Sequence, residues 1–436
     1  MELFLSSLYI AFFSWLILKL RFFKIEGISS WIFVGIFFIK LISALALTLI
    51  YTYYYTDRTT ADIFKYFDDS KVIFSAIHKN PVDYFKMISG IGADSANLKH
   101  YYVDCNFWYK EFNYMMYNDN RTIIRFNAFV MLFSFGKFFV HNVFMSFLSL
   151  IGLMGIYKVF ISQFISKKWE LLFAIFLLPS VLLWTSGTLK EGLVLFAFGL
   201  FFYYFWEILN NRFTLKHLLI CISMIFILSL VKYYVILCAV PSIIYLLIKQ
   251  FSKLKSTVLI LLFSFSICFT GLFVGRIIGG SLDVINALTY KHNDFVSLSL
   301  SLDKVGSLMD TSLLQPTLVD FAKHIPDALF KSLFKPFPWD VKNILSILPA
   351  IENSILLLLI LLVFIKRNKT IVSKDLLLFS FCFVLTLNIL NGLIVPVFGA
   401  LVRYKVPALP FLFASLVCII DFDFLQIKKL FLFVKK

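Results

Sequence analysis

Residues 169–208 read WELLFAIFLLPSVLLWTSGTLKEGLVLFAFGLFFYYFWEI, an almost uninterrupted apolar stretch. A helix needs about 20 residues to cross the hydrocarbon core of a bilayer, so this stretch is long enough for two crossings. Pro179 and Gly187 disfavour one continuous helix. We therefore predict two spanning helices joined by a tight turn, with Lys190 and Glu191 close to the membrane surface beside that turn.

Apolar runs of the same kind recur along the whole chain. Of its 436 residues, 60% are hydrophobic and 15% are charged, and the mean hydropathy is +0.88. Soluble domains are nearer half apolar and a quarter charged. The sequence therefore predicts an all-α, polytopic integral membrane protein, with residues 1–436 forming one transmembrane domain of about 11 helices. The predicted spans are 3–18, 31–54, 139–161, 169–186, 189–208, 215–231, 234–249, 257–275, 344–365, 375–395 and 405–420.

The placement of charge predicts how the chain is oriented. The connections that follow the odd-numbered predicted spans, together with the C-terminal tail, carry 19 basic and six acidic residues. The two long loops are neutral: residues 55–125 hold nine basic and nine acidic side chains, and residues 276–342 hold seven of each. The positive-inside rule puts the basic connections and the C-terminus in the cytoplasm, and the N-terminus and both long loops outside. The net charge of +16 is thus a topology signal, and we expect no nucleic-acid partner. Abundant Phe and Lys are typical of low-GC bacteria, which predicts a location in the bacterial inner (plasma) membrane.

Two aspartates in the first long loop, Asp57 and Asp62, follow the second predicted span. Apolar residues recur at helical spacing within 62–78, which predicts an amphipathic helix on the membrane surface. Asp62, Tyr66 and Asp69 fall on another face of that helix. A carboxylate held there can act as a general base on a lipid-bound substrate, or bind a divalent cation. We take Asp62 first, and Asp57 next, as candidate catalytic residues, with ordinary solvated loop charges as the alternative.

Several cations are predicted at the outer ends of spans, against the positive-inside bias. They are Lys190, Lys232, Arg276, Lys335, Arg403 and Lys405. Together they suit an anionic ligand such as a lipid phosphate, which Glu191 would help to orient. Lys335 also begins a rigid Lys-Pro-Phe-Pro-Trp-Asp segment that could dock a headgroup. The alternatives are snorkelling lysines and a Pro-rich anchor for the next span. A divalent cation is a candidate cofactor, but no set of metal ligands is assigned.

An acidic outer loop after an early span, with a further outer loop six spans later, resembles the multi-span glycosyltransferases of the GT-C class, which use lipid-linked sugars. Here Asp57 and Asp62 follow the second predicted span, and the 276–342 loop follows the eighth. The resemblance implies a GT-C-like fold in which Asp62 or Asp57 is the catalytic base and the outer cations hold the donor phosphate. It also implies a polyprenyl-phosphate sugar as donor. The adjacent Asp-Glu that is frequent in this loop of the family is missing here.

The expected function is therefore transfer of a sugar from a polyprenyl-phosphate-linked donor to a cell-envelope glycan, lipid or protein, with membrane lipids as further partners. The chain also resembles surface-polysaccharide polymerases of the O-antigen type, which carry two large outer loops with catalytic-type arginines. Arg276 and Arg403 would take that role here. A transporter or flippase of a lipid-linked glycan is a third alternative, although the sequence has no convincing internal repeat.

Overall fold

The computed structural model describes residues 1–55, 57–59, 61–109, 117–301, 309, 312–341, 343–368 and 372–422. Within these ranges the chain is mainly helical, and its strand-like pairings there are the isolated bridges Ile25–Ile28 and Arg367–Ile420. The α-helices are α1 (Glu2–Lys19), α2 (Ser30–Leu49), α3 (Asp62–Lys79), α4 (Pro81–Ser89), α5 (Lys99–Tyr102), α6 (Asn120–Ser134), α7 (Phe138–Gln163), α8 (Lys168–Phe176), α9 (Pro179–Trp184), α10 (Lys190–Leu209), α11 (Leu215–Phe251), α12 (Thr257–Ile278), α13 (Val284–Ser301), α14 (Leu318–Phe334), α15 (Ile344–Ile365), α16 (Lys374–Ile394), α17 (Phe398–Tyr404) and α18 (Leu409–Ile419).

Among the described residues, eight helical segments are long and apolar enough to cross a membrane. They are α1, α2 with its continuation to Tyr54, α7, α10, α11, α12, α15 and α16. The helices α17 and α18 are bent by 66° at a short break and together make a ninth candidate. The chain is therefore an all-helical, multi-pass membrane protein, as its composition predicts.

The structure does not confirm the predicted count of about 11 spans. The predicted span 169–186 is divided into α8 and α9, and each piece is too short to cross a bilayer alone. The break lies directly before Pro179, which has no backbone N–H and would clash with the preceding helical turn. Of the predicted span 405–420, only Leu409–Ile419 forms an α-helix, and these 11 residues of α18 are too few to cross a bilayer alone.

Two further predicted spans, 215–231 and 234–249, lie in the single element α11. Its 37 residues would extend about 56 Å if they formed one straight helix, well beyond the roughly 30 Å hydrocarbon core. The helical backbone is interrupted inside α11 at Lys232, which has φ −153° and ψ 77°. The interruption falls where the sequence predicts a turn between two spans.

The chain divides into two compact units. Unit 1 comprises Met1–Gly155 and Val181–Ile236, and unit 2 comprises Ile156–Ser180 and Leu237–Lys436. Close helix packing holds each unit together. In unit 1, a Cβ added to Gly152 of α7 would lie 2.0 Å from the Leu195 carbonyl oxygen of α10. In unit 2, a Cβ added to Gly392 of α16 would lie 2.1 Å from the Ala328 carbonyl oxygen of α14. Small residues permit such approaches between membrane helices.

The helix predicted at 62–78 is present as α3, which packs against α6 in unit 1. Its predicted apolar face is buried, as Ile63 and Phe67 show. On the face that carries Asp62, Tyr66 and Asp69, the Asp62 side chain stays 22% exposed, whereas Tyr66 and Asp69 are buried. Both are accommodated by hydrogen bonds, which offset the cost of removing a polar group from water. Helix α3 is therefore enclosed on two sides within unit 1.

Candidate functional site

The segment before α10 is attached to the first turn of α3. The Thr188 hydroxyl, which is fully buried, donates a hydrogen bond of 2.7 Å to the Ile63 carbonyl oxygen. Gly187 packs closely against α2 and α3. A Cβ added to Gly187 would lie 2.8 Å from Leu47 Cδ2 and 3.7 Å from Ile63 Cγ2. The hydrogen bond therefore brings the turn that bears Asp62 beside the start of α10, where the predicted residues Lys190 and Glu191 follow.

Lys190 joins three helices of unit 1. Its Nζ lies 2.7 Å from Asp119 Oδ2 and donates to Asn120 Oδ1 at 2.7 Å. The same Asn120 oxygen accepts a hydrogen bond of 3.2 Å from the Tyr66 hydroxyl, and the ammonium group lies 5.3 Å from the centre of the Tyr66 ring. Lys190 is therefore buried and already carries an acidic partner, and its location near the membrane surface stays a prediction.

Glu191 and Lys232 form a second ion pair. Lys232 Nζ donates to Glu191 Oε1 at 3.0 Å, and the two side chains are only 4% and 2% exposed. Lys232 occupies the interruption of α11, and its ammonium group lies 5.9 Å from the ring centre of Tyr234. Ionisable groups buried in a membrane protein are costly and are functional candidates by default. We define the unit 1 cluster as Tyr66, Asp119, Asn120, Lys190, Glu191 and Lys232.

The two candidate catalytic aspartates differ in their surroundings. Asp62 is the first residue of α3 and forms an ion pair with Lys65, one turn later. Its side chain is 22% exposed. Lys65 in turn lies 4.6 Å from the ring centre of Phe107. Asp57 is exposed and accepts hydrogen bonds from the backbone N–H and hydroxyl of Thr59, at 3.0 and 2.6 Å. Asp62 therefore belongs to the helix that forms part of the unit 1 cluster, whereas Asp57 stabilises a local turn.

Asp69 has a role that sequence reasoning missed. Its carboxylate accepts hydrogen bonds from the backbone N–H groups of Asn106 and Phe107, at 3.0 and 2.8 Å. Burial raises the pKa of the Asp69 carboxyl above its ordinary value, and the two backbone hydrogen bonds oppose that rise. Asp69 ties the later part of the first loop to α3. Only its helical register with Asp62 and Tyr66 was visible in the sequence, and that register does not reveal a backbone partner.

Lys405 is the centre of a second buried group, in unit 2. Its Nζ donates to Asn353 Oδ1 at 2.9 Å and lies 3.5 Å from the Ser332 carbonyl oxygen. Asn353 Nδ2 donates to the Pro336 carbonyl oxygen at 3.0 Å, which ties the Lys-Pro-Phe-Pro-Trp-Asp segment to α15. Glu352 is fully buried and accepts a hydrogen bond of 3.0 Å from the backbone N–H of Ser180. Lys405 is thus the candidate cation that Asn353 binds directly.

The remaining predicted cations also lie in unit 2. Lys335 is half-buried, and its ammonium group lies 5.8 Å from the ring centre of Phe398. Arg403 is in the last turn of α17. Arg276 is in the last turn of α12, and its buried Nη1 has no hydrogen-bond partner among the described residues. The six cations thus fall into two groups, two in unit 1 and four in unit 2, and their convergence on one ligand stays a prediction.

The unit 1 cluster and Asp62 offer acid–base chemistry and positive charge for an anion. In the part of the chain that the structure describes, no three His, Cys, Asp or Glu side chains come together as a metal site. The candidate base Asp62 is partly exposed, Lys190 pairs with the partly exposed Asp119, and Lys232 pairs with the buried Glu191. In comparisons with known proteins, no family model, no curated protein and no solved structure matches this chain.

Proposed function

We propose that the chain is a membrane glycosyltransferase at the outer face of the bacterial plasma membrane. It would move a sugar from a polyprenyl-phosphate-linked donor to a glycan, lipid or protein of the cell envelope. The observation that carries the proposal is the hydrogen bond from Thr188 to Ile63, which sets the turn bearing Asp62 beside the start of α10. Glycosyl transfer from a phosphate needs both a proton acceptor and a cation for the leaving group, and Asp62 and Lys190 are proposed for these two roles.

Asp62 is the proposed base. Its side chain is 22% exposed, and the ion pair with Lys65 holds it in place. The acceptor hydroxyl would attack the anomeric carbon while its proton passes to Asp62. The bond from that carbon to the donor phosphate breaks in the same displacement, which inverts the configuration at the anomeric carbon.

Lys190 is the proposed partner of the leaving phosphate. It sits in a largely buried site, where charge interactions are stronger than in water. Asp119 is the more open member of its ion pair, with 30% of the side chain exposed. A donor phosphate would therefore take the place of the Asp119 carboxylate on Lys190. The pair of Glu191 and Lys232 would hold the start of α10 in position during this exchange.

A surface-polysaccharide polymerase is the second candidate, and Arg276 favours it. A buried guanidinium N–H without a partner costs free energy, and a phosphate oxygen of a lipid-linked glycan would satisfy it. This alternative uses the same class of substrate, a polyprenyl-linked oligosaccharide. It differs in placing the essential positive charge in unit 2.

The test is complementation in the native host, with surface glycans analysed by mass and protein levels checked. The variants are Asp62→Asn, Arg276→Ala and the control Asp68→Asn. Asp68 lies on the same helix, but its side chain is 36% exposed and is paired with Arg58 and Lys71. Loss of one sugar with Asp62→Asn, and no loss with Asp68→Asn, supports the transferase.

The other outcomes also decide between the two enzymes. Glycans that collapse to a single repeat unit with Arg276→Ala favour the polymerase. Glycans that stay unchanged in both Asp62→Asn and Arg276→Ala, at normal protein levels, overturn both enzyme hypotheses. Transport of a lipid-linked glycan would then be the leading hypothesis.

A further inference from the structure

A separate group of reactive side chains lies in unit 2 and includes none of the residues of the proposed transferase site. Residues preceding and within α14 enclose a cavity of about 280 Å³ together with α13 and α16. Its polar side is formed by His292, Ser312, His324 and Asp327, and its apolar side includes Leu314 and Leu393. Ser312 is exposed, so the cavity is open to a substrate at this residue.

The hydrogen bonds of His324 define which ring nitrogen carries the proton. Nδ1 lies 2.8 Å from the Asp320 carbonyl oxygen, and a carbonyl can only accept, so Nδ1 is the donor. Nε2 is then the basic nitrogen, and it lies 3.0 Å from Ser312 Oγ. The Ser312 hydroxyl therefore donates to His324. The Asp320 carboxylate is 3.8 Å from Nδ1, close enough to stabilise an imidazolium ion.

The segment that carries Ser312 is held in place by several hydrogen bonds. His292 Nε2 lies 3.1 Å from the Ser312 carbonyl oxygen. Asn293 binds both backbone groups of Leu314. Its Oδ1 accepts a hydrogen bond of 2.9 Å from the Leu314 N–H, and its Nδ2 donates one of 3.0 Å to the Leu314 carbonyl oxygen. Asp320 accepts a further hydrogen bond of 2.8 Å from the backbone N–H of Gln315. A nucleophile must be positioned in this way to react efficiently.

We propose that Ser312 and His324 are a nucleophile and its general base, and that they act on an ester of a small acyl group. A serine in hydrogen-bond reach of a base that a third group orients is the general arrangement for acyl transfer. The apolar side chains of Leu314 and Leu393 would receive the acyl group, and the small volume of the cavity limits its size. This activity is independent of the proposed glycosyl transfer.

The reaction has two steps. Ser312 Oγ attacks the ester carbonyl carbon and gives its proton to His324 Nε2. The ester C–O bond breaks, and the departing alcohol takes that proton, which leaves an acyl-serine. His324 Nε2 then removes a proton from a water molecule, whose oxygen attacks the acyl carbon. The bond between that carbon and Ser312 Oγ breaks, His324 returns the proton to Oγ, and the carboxylic acid leaves. A second hydroxyl-bearing molecule in place of water would make the reaction an acyl transfer.

The test uses the full chain, purified in nanodiscs, and a fluorophosphonate probe, which phosphonylates base-activated serines. We expect labelling of Ser312, located by peptide mass spectrometry. Labelling of the His324→Gln variant should be about 10²-fold to 10⁴-fold slower, the usual contribution of a general base. The control is His100→Gln, because His100 Nδ1 also lies 2.7 Å from a backbone carbonyl oxygen but belongs to unit 1. This variant should label at the wild-type rate.

Labelling of the wild-type chain is measured first, so that poor folding of a variant cannot decide the result. A wild-type chain that stays unlabelled at Ser312, under conditions that label a known serine hydrolase, overturns the proposal. So does a folded His324→Gln chain that labels as fast as wild type. Hydrolysis of p-nitrophenyl acetate that is lost in Ser312→Ala and kept in His100→Gln would support it further.

Discussion

Lys232 Nζ lies 3.0 Å from Glu191 Oε1, and neither side chain is more than 4% exposed. Lys232 stands where the backbone of α11 departs from helical geometry, and Glu191 is the second residue of α10. The ion pair therefore joins an interrupted helix to the start of the helix that carries Lys190. Because both charges are buried, removing either one should change the stability of the folded chain.

Breaking this pair from one side should destabilise unit 1. Glu191→Gln or Lys232→Met alone should lower the free energy of unfolding by about 3–5 kcal/mol, because the remaining charge is left buried. The double variant should recover part of the loss. Unfolding in nanodiscs, analysed as a double-mutant cycle, measures the coupling. Arg212→Ala is the control, since Arg212 pairs with Glu207 at the surface and its loss should matter little. Equal effects of the buried and surface variants would contradict this interpretation.

Lys190 and Asp119 should behave differently if a phosphate replaces Asp119 in the reaction. Lys190→Met should raise the KM for the donor at least tenfold, since one charge-assisted contact is lost. Asp119→Asn should leave that KM unchanged or lower it, because the competing carboxylate is gone. The measurement is transfer in isolated membranes over a range of donor concentrations. Equal losses in the two variants would show that the pair has only a structural role.

Thr188 should act by positioning. Thr188→Val keeps the shape but removes the donor to the Ile63 carbonyl oxygen, which should cost about 1–3 kcal/mol of stability. We also expect a lower rate of sugar transfer, because the turn bearing Asp62 is released from α10. Thr188→Ser retains the hydroxyl and should retain most of both properties. Full sugar transfer by the Thr188→Val variant would show that the hydrogen bond to Ile63 is not needed for the reaction, which would contradict the proposed function.

The stability contributed by Asp69 should depend on pH. Burial raises its pKa in the folded chain above the value of 3.8 expected when unfolded. Between those two values the folded state binds more protons than the unfolded state, so the contribution falls as pH rises through the folded pKa and is fully present below 3.8. Asp69→Asn should remove this dependence, and the control Asp68→Asn should keep it. Unfolding temperatures measured from about pH 3.5 to 7 test the difference, which would be absent if Asp69 does not titrate in this range.

The contact between α7 and α10 should tolerate no side chain at Gly152. Gly152→Ala would place a Cβ against the Leu195 carbonyl oxygen and force the helices apart, so we expect a clear loss of thermal stability. Gly35→Ala is the control, because no atom lies within 4 Å of a Cβ at that position and alanine is the better helix former. Its stability should stay the same or rise. A stable Gly152→Ala protein would mean that the two helices can separate without cost.

Local features of the site could be predicted from the sequence. The helix expected at 62–78 is observed at Asp62–Lys79, and the expected turn between two apolar runs lies directly before Lys190. The interruption at Lys232 also falls where hydropathy alone predicts the boundary between two spans. The partners of these residues could not be predicted. Asp119 is 71 positions from Lys190, and hydropathy and helical periodicity carry no information at that separation.

The apolar runs of the sequence are enough to predict the class of protein, because each run must satisfy its own backbone hydrogen bonds inside the bilayer and can do so locally as a helix. Which charges are buried, and which groups pair with them, depends on how the helices pack. Asp69 binds two backbone N–H groups, Lys190 meets Asp119, and Lys405 meets Asn353. The physical reason is that a buried polar group must find a partner, and the partner is set by helix packing rather than by neighbours in the chain.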